Sequence, residues 1–429
     1  MTSAAVASRA LRLVCSECGA AASPSAGAFA CTACGGLLAF TLPGDETPRL
    51  DRGAFLQTLA SRRASSAHVD RSGVWRFREL LPAIAAERVV TLREGDVPLY
   101  GARLGAGYAK AERVAYLHLG MNPTASFKDF GMTVAISEAH ARDARVAVCA
   151  STGNTSASMA AYAARAGMVA AVLVPEGGVS EAKLAQTLDY GAHVLAIGGD
   201  FDAALEVVRG LDPQRYAIVN SLNPYRIEGQ KTIALVLLEA REWNVPDWVI
   251  LPGGNLGNAS AIGKGFREAR ALGLIERIPR LAVVQAAGAA PLVRAFESGE
   301  PLVPVQAETT ATAIKIGAPA SWRKALGEIR ASHGTVLAVS DDEIADARAV
   351  IGADGIGCEP ASAASLAGFR TLRAAGAIGA HEDVVLILTG HLLKDGAYAA
   401  RYHAGERAYA NPIARVADAR AARRRLAEL

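Results

Sequence analysis

The sequence predicts an α/β protein built on largely parallel sheets, and three observations predict it. Short apolar runs recur at Val114–Leu117, Val146–Ala150, Val169–Val174, His193–Ile197, Tyr216–Asn220, Trp248–Leu251, Leu281–Gln285, Val336–Val339 and Val384–Leu388, each the length of a buried strand. Windows with helical spacing separate most of them, among them Thr155–Ala166, Arg226–Trp243 and Glu359–Ala374, and that alternation is what crossover helices between parallel strands produce. Composition agrees: 51% hydrophobic and 20% charged residues exclude a disordered chain, and 429 residues suffice for more than one domain. The 45 basic and 42 acidic groups nearly cancel, which argues against a nucleic-acid binder.

From the N-terminus, no apolar core with a cleavage site follows Met1. Ser3, Ser8, Arg9 and Arg12 give only a faint transit-peptide pattern, so a cytosolic location is expected. Cys15-Ser-Glu-Cys18 and Cys31-Thr-Ala-Cys34 lie twelve residues apart, and each pair ends in glycine (Gly19, Gly35-Gly36). Two such pairs supply four thiolates to one tetrahedral zinc ion; free thiols or two disulfides are the alternatives, and a reducing cytosol disfavours disulfides. Cys149 and Cys358 read as small buried hydrophobes. A stretch containing proline and charge, Pro43 to Arg93, precedes the strand–helix alternation. The apolar stretch Ala157–Val174 is as long as a membrane span, but Arg165, Gly167 and Pro175 divide it into helix, turn and strand. No membrane partner is expected. The closing arginines (Arg415, Arg420, Arg423, Arg424, Arg425) suit a solvated helix face.

Ligands of open α/β sheets gather beyond the carboxyl ends of strands. Four loops there are dense in small polar residues: Asn122-Pro-Thr-Ala-Ser-Phe-Lys128-Asp129, Ser151-Thr152-Gly153-Asn154-Thr155-Ser156, Pro252-Gly253-Gly254-Asn255-Leu256-Gly257-Asn258 and Thr389-Gly390-His391. The third, between a strand and a helix, offers backbone N–H groups to a phosphate, although it is neither a Walker A loop nor a dinucleotide fingerprint. Lys128 opens a helical stretch, where the helix terminus and partial burial lower its pKa and favour the free amine needed for a Schiff base. A surface lysine paired with Asp129 is the plainer alternative.

These loops, together with Asn220-Ser-Leu-Asn-Pro-Tyr-Arg226-Ile-Glu-Gly-Gln-Lys-Thr, the Ala311–Trp322 segment, Cys358-Glu-Pro-Ala-Ser-Ala-Ala-Ser and Leu388-Thr-Gly-His-Leu-Leu-Lys-Asp, resemble threonine synthases. The resemblance runs in order from the cysteine pairs to about Asp395. It implies a two-domain pyridoxal-phosphate fold of type II, like the β subunit of tryptophan synthase, with a small N-terminal zinc-ribbon-like segment. The implied division is 1–42 for the ribbon, 43–120 and 221–410 for the large domain, 121–220 for the small domain carrying the lysine, and 411–429 for a basic tail helix. It further implies that Lys128 carries pyridoxal 5'-phosphate, that Gly254, Asn255, Leu256, Gly257 and Asn258 bind its phosphate, that Asn154 meets the ring oxygen and that Thr389 meets the ring nitrogen. Ser151, Thr152 and Thr155 take the substrate carboxylate, and Asn220, Ser221 and Arg226 the substrate phosphate. Cys15, Cys18, Cys31 and Cys34 would hold structural zinc.

The implied reaction converts O-phospho-L-homoserine and water to L-threonine and phosphate, in a cytosolic homodimer. Three positions depart from the family pattern: Phe130 where many relatives have arginine, Val97 in Glu94-Gly-Asp-Val97-Pro-Leu where threonine is frequent, and Ala125 where glycine is usual. Rival readings are a cysteate synthase, a threonine dehydratase, and a zinc-ribbon interaction module on an inactive enzyme fold. Arg226 argues against the dehydratase, which needs no phosphate clamp. The near-neutral charge argues against the module.

Overall fold

The computed structural model describes residues 11–23, 29–43, 49–176, 181–199 and 201–427. Most of the faint transit-peptide pattern therefore lies outside the described residues, as do parts of the ribbon and of the tail. Two parallel sheets dominate. The larger is ordered Thr335–Val339, Arg280–Ala286, Trp248–Pro252, Asp383–Leu388, Arg113–His118 and Leu99–Gly101. Only the last pair is antiparallel, with Tyr100 opposite Tyr116. The smaller is ordered His193–Ile197, Val169–Pro175, Val146–Ala150 and Tyr216–Ile218, parallel throughout. All six residues of Asp383–Leu388 and all five of Trp248–Pro252 are buried, as unbroken apolar runs must be when helices cover both faces of a sheet.

Strand order in each sheet reverses once. In the larger sheet the chain runs outward from Trp248–Pro252 through Arg280–Ala286 to Thr335–Val339, then returns to the other side with Asp383–Leu388. In the smaller it runs from Val146–Ala150 outward to His193–Ile197 and returns with Tyr216–Ile218 on the opposite side. Each reversal opens a crevice between diverging loops, the place where such folds bind ligands. The loops at these two points are Gly253–Asn258 with Thr389–His391, and Ser151–Thr155 with Val219–Arg226.

Local differences from the sequence reading have physical causes. The strand expected over Tyr216–Asn220 stops at Ile218, because the Asn220 side chain takes over its pairing: Nδ2 donates to Ala150 O and Oδ1 accepts from Ala150 N, both at 3.3 Å. The helix expected from Arg226 begins at Pro224, where proline at the first position and the Asn223 side chain capping Tyr225 N start it early. It ends at Ala240, before Glu242 and Trp243 turn left-handed. The stretch Ala157–Val174 is a helix to Arg165, a turn at Gly167 (φ +69°) and a strand from Val169. No helix among the described residues is long and apolar enough to cross a membrane.

The N-terminal segment forms a three-stranded antiparallel ribbon, with Arg12–Cys15 paired to both Ala21–Ala22 and Leu38–Thr41. Its Leu13, Leu38 and Phe40 join the main hydrophobic core. Phe40 meets Tyr225 edge-on at 4.9 Å, and its carbonyl accepts from Lys264 Nζ at 2.6 Å. At the other end, the helix Ala419–Ala427 exposes its arginines to solvent.

Candidate active site

Lys128 begins the helix Lys128–Ala141, partly buried, with Nζ 4.1 Å from the centre of the Phe127 ring. Desolvation, and then the positive charge of Arg226, push its ammonium down to about 7, against the pull of Glu359. An amine at that value is substantially free at neutral pH. Asp129 is not its surface partner. The structure buries Asp129 completely and gives its carboxylate to Thr124 and Ser158.

Hydrogen bonds draw the loops of both sheets together. Phe127 N donates to Thr389 O at 2.9 Å and Ser126 pairs with Gly390, joining the lysine loop to the loop after Asp383–Leu388. Asn154 Nδ2 donates to Glu359 Oε2 at 3.0 Å, and Thr389 Oγ1 donates to Glu359 Oε1 at 3.2 Å. Ser362 fixes Thr389 by donating to its Oγ1 at 2.9 Å while taking the Thr389 N–H at 2.8 Å. Burial pushes the Glu359 carboxyl above its ordinary value. Gly390 is required here, since a Cβ would overlap the Glu359 carboxylate. Asn255 Nδ2 donates to Ser221 Oγ at 2.6 Å, linking the glycine-rich loop to the segment after Tyr216–Ile218.

Some of the unfilled polar capacity lies at the glycine-rich loop. Leu256 adopts φ +64° at the N-terminus of the helix Gly257–Ala271, and a Cβ on Gly254 would crowd Ala313 O at 3.2 Å. Both side-chain polar atoms of Asn258 and the Ser321 hydroxyl are buried without a protein partner. Free donors around a helix N-terminus fit a phosphate monoester, so these residues suit a cofactor phosphate. Arg226 supplies a second anion-seeking group. It is buried, Nη1 donates to Val219 O at 3.0 Å, Nε lacks a partner, and among the described residues no carboxylate pairs with it. Burial pushes its guanidinium down to about 10.

The remaining predicted residues sit around this crevice. Ser151 accepts from Gly153 N at 3.4 Å, while the Thr152 and Thr155 hydroxyls have no protein partner among the described residues. Asn220 commits its amide to Ala150 and braces the Ser151 loop. Sequence reasoning missed Ser321, Ser362 and Ser158. The first two lay inside segments that carried the family resemblance, and only folding shows where their hydroxyls go.

The four cysteines form a separate group. Their sulfurs all lie within 4.8 Å of one another, with Cys15–Cys34 at 3.5 Å and Cys18–Cys31 at 3.7 Å. Zn–S bonds of about 2.3 Å in a tetrahedron require sulfurs about 3.8 Å apart, so the donor set fits zinc. Glu17 N, Ala33 N and Gly36 N donate to Cys15, Cys31 and Cys34, each at 3.4 Å, as thiolate ligands need.

Comparison with known proteins identifies this architecture. Residues 90–390 match the family described as pyridoxal-phosphate dependent enzyme. Threonine synthase of Methanosarcina acetivorans is 44% identical over 387 residues, covering 89% of this chain and 92% of that protein. The chain belongs to the threonine synthase family. A second threonine synthase, from Methanocaldococcus jannaschii, is 46% identical over 75% of this chain and 81% of its own length. The Escherichia coli threonine synthase structure superposes with a TM-score of 0.64 at 21% identity, over 91% of this chain and 88% of that one. A processed threonine deaminase isoform from Solanum lycopersicum superposes at 0.59 with 20% identity, over 82% and 94% of the respective chains, and shares the fold. Threonine synthase is a pyridoxal-phosphate enzyme, and the phosphate-fitting loop and the depressed Lys128 amine suit that cofactor.

Proposed function

We propose that this chain converts O-phospho-L-homoserine and water to L-threonine and inorganic phosphate. Arg226 carries the reading: a buried guanidinium that no carboxylate pairs with among the described residues, electrostatically coupled to the Lys128 amine, suits a substrate phosphate, which a deaminase substrate does not have. Lys128 would hold pyridoxal phosphate covalently through Nζ, with Gly254, Asn255, Leu256, Gly257 and Asn258 around its phosphate, Asn154 at the ring oxygen and Thr389 at the ring nitrogen. When bound, the cofactor supplies an electron sink for the carbanion formed beside the substrate amino group.

The protein's own groups do the rest. Ser151, Thr152 and Thr155 orient the substrate carboxylate with hydroxyls and N–H groups, and Asn220, Ser221 and Arg226 hold the substrate phosphate. Arg226 suits a dianion because its planar fork donates in parallel to two oxygens. Once released, Lys128 Nζ accepts the proton from the α carbon; its depressed pKa supplies the free amine this requires. A hydroxyl rather than a carboxylate at position 389 would meet a bound ring nitrogen without charging it, turning its one proton from Glu359 to do so. Glu359 holds Asn154 and Thr389 on one carboxylate and would thereby set where both meet the ring.

Cys15, Cys18, Cys31 and Cys34 would hold a structural zinc ion that fixes the ribbon on the catalytic body. Residues 43–120 and 221–410 would act as one domain and 121–220 as the other, closing over substrate. The family resemblance supports a homodimer in the cytosol, checked by sedimentation. Purified protein given phosphohomoserine should release threonine and phosphate in equal amounts, and Lys128→Ala should abolish both. Release of 2-oxobutyrate in place of threonine refutes the reading, as does preference for phosphoserine with sulfite.

A further inference from the structure

Asp129 follows Lys128 in the first turn of its helix and exposes no surface. Its Oδ2 accepts from Thr124 N at 2.8 Å, and its Oδ1 accepts from Thr124 Oγ1 at 2.5 Å and from Ser158 Oγ at 2.6 Å. Thr124 precedes Ala125, whose φ of +63° is a left-handed conformation that an alanine adopts only at an energetic cost. The sequence departure at Ala125 thus falls where glycine would relax the chain, and this protein holds the turn by bonds instead. Ser158 lies one turn into the helix Asn154–Arg165, which begins with Asn154 and Thr155. One carboxylate therefore joins the loop that carries the lysine to the helix that begins with Asn154 and Thr155.

We propose that Asp129 is the positioning residue for Lys128: by tying Thr124 to Ser158 it holds the strained turn at Ala125 and sets where the lysine amine stands. The proposal rests on the reading of Lys128 as the reactive amine.

Charge supports it. Around Asp129 lie Glu94, held by Ser72, Thr91 and Tyr162; Tyr162 itself; and Lys394, which donates to Gln186. Burial pushes the Asp129 carboxyl up to about 6, against the pull of Ser158 and Thr124, and Glu94 adds to the rise. A folded-state value above the unfolded one means that the fold favours the protonated acid. That contribution is full below the unfolded value and is lost as pH rises through about 6. At neutral pH the ionised side chain costs stability, so stability does not account for a carboxylate here.

Asp129→Asn tests this, because the amide keeps an oxygen for the two hydroxyls but turns a donor toward the Thr124 N–H. Its melting temperature at pH 7 should fall by no more than a few degrees, because relief of the buried charge offsets the Thr124 N–H left unpaired. Its kcat with phosphohomoserine should fall about tenfold or more while KM changes little, as expected for a misplaced reacting group. In cofactor-free protein, amide exchange over 123–128 should speed up. Adding Ala125→Gly, which removes the strain the carboxylate opposes, should restore part of both the exchange protection and kcat. Ser158→Ala cuts one arm only and should move both quantities in the same direction by less; it serves as the test if Asp129→Asn does not fold. Unchanged kcat in these variants overturns the proposal. So does a kcat that falls only in step with melting temperature, with exchange over 123–128 unaltered. Exchange is read without cofactor or substrate, so a chain that makes no threonine at all would refute the functional reading and leave this test standing.

Discussion

Asn255 Nδ2 donates to Ser221 Oγ at 2.6 Å, and its Oδ1 accepts from Ala320 N at 2.7 Å. One amide thereby joins the glycine-rich loop, the segment proposed to hold substrate phosphate, and the turn that places Ser321. Asn255→Ala removes both bonds, each worth about 1 kcal/mol net. Cofactor affinity should weaken roughly tenfold and KM for phosphohomoserine should rise by a similar factor. Fluorescence titration with the cofactor and a phosphate-release assay read the two effects separately. Melting temperature should fall by only a few degrees, because Asn255 is half-buried and the apolar packing of Leu256 is left in place.

The proximity of Arg226 to Lys128 makes a second prediction. In cofactor-free protein the Lys128 amine should react with an acylating reagent with a midpoint near pH 7 rather than at the ordinary lysine value. Arg226→Leu removes a like charge and should shift that midpoint upward, while also raising KM for the phosphorylated substrate. The linkage has a definite sign. A lysine whose folded pKa is depressed contributes stability that is full above the ordinary lysine value and is lost by the time pH has fallen through about 7, so the advantage of cofactor-free Lys128→Met over the unaltered chain should widen as pH falls toward about 7 and stay constant below it. Peptide mapping of the acylated lysine and melting curves across pH 5 to about 9 check both statements.

Much of this site was legible in the chain because its chemistry sits in short, continuous loops. Gly254–Asn258 and Thr389–His391 announce themselves by residue type, and the runs at Trp248–Leu251 and Val384–Leu388 read as buried strands because helices cover both faces. What the sequence withheld is lateral. Strand order places Asp383–Leu388 beside Trp248–Pro252, and no local pattern encodes that adjacency. Asp129 reads as an ordinary surface acid until Ser158, 29 positions away, turns out to donate to it. Ser321 has no chemistry of its own until Asn255 positions the turn before it. Ala125 was visible as a departure, but only its φ of +63° shows what the missing glycine costs.

The ribbon invites a metal-removal experiment. Phe40 packs on Tyr225, the neighbour of Arg226, and its carbonyl takes the Lys264 ammonium. Four thiols brought within 4.8 Å of one another would lose their common anchor without metal. Chelation should lower the melting temperature by several degrees, while kcat at saturating substrate stays within about twofold. The four thiols should become titratable by a disulfide reagent as metal leaves. Turnover lost in proportion to metal, at unchanged melting temperature, would show instead that the ribbon takes part in the reaction.

Under the ribbon, Glu228 joins the helices Pro224–Ala240 and Gly257–Ala271. Its buried carboxylate accepts from Lys231 Nζ at 2.5 Å and from Lys264 Nζ, and Glu268 takes the same two ammoniums at 2.8 and 3.5 Å. Glu228→Gln leaves two buried cations facing one carboxylate. Breaking a buried ion network in this way costs about 3–5 kcal/mol, because the stranded charge cannot recover its hydration. The midpoint of urea unfolding should fall accordingly at an unchanged slope. Adding Lys231→Met removes the surplus cation and leaves Lys264 with Glu268, so the double variant should regain most of the loss. If it is as unstable as Glu228→Gln alone, packing between the helices Pro224–Ala240 and Gly257–Ala271, rather than charge balance, holds this junction together.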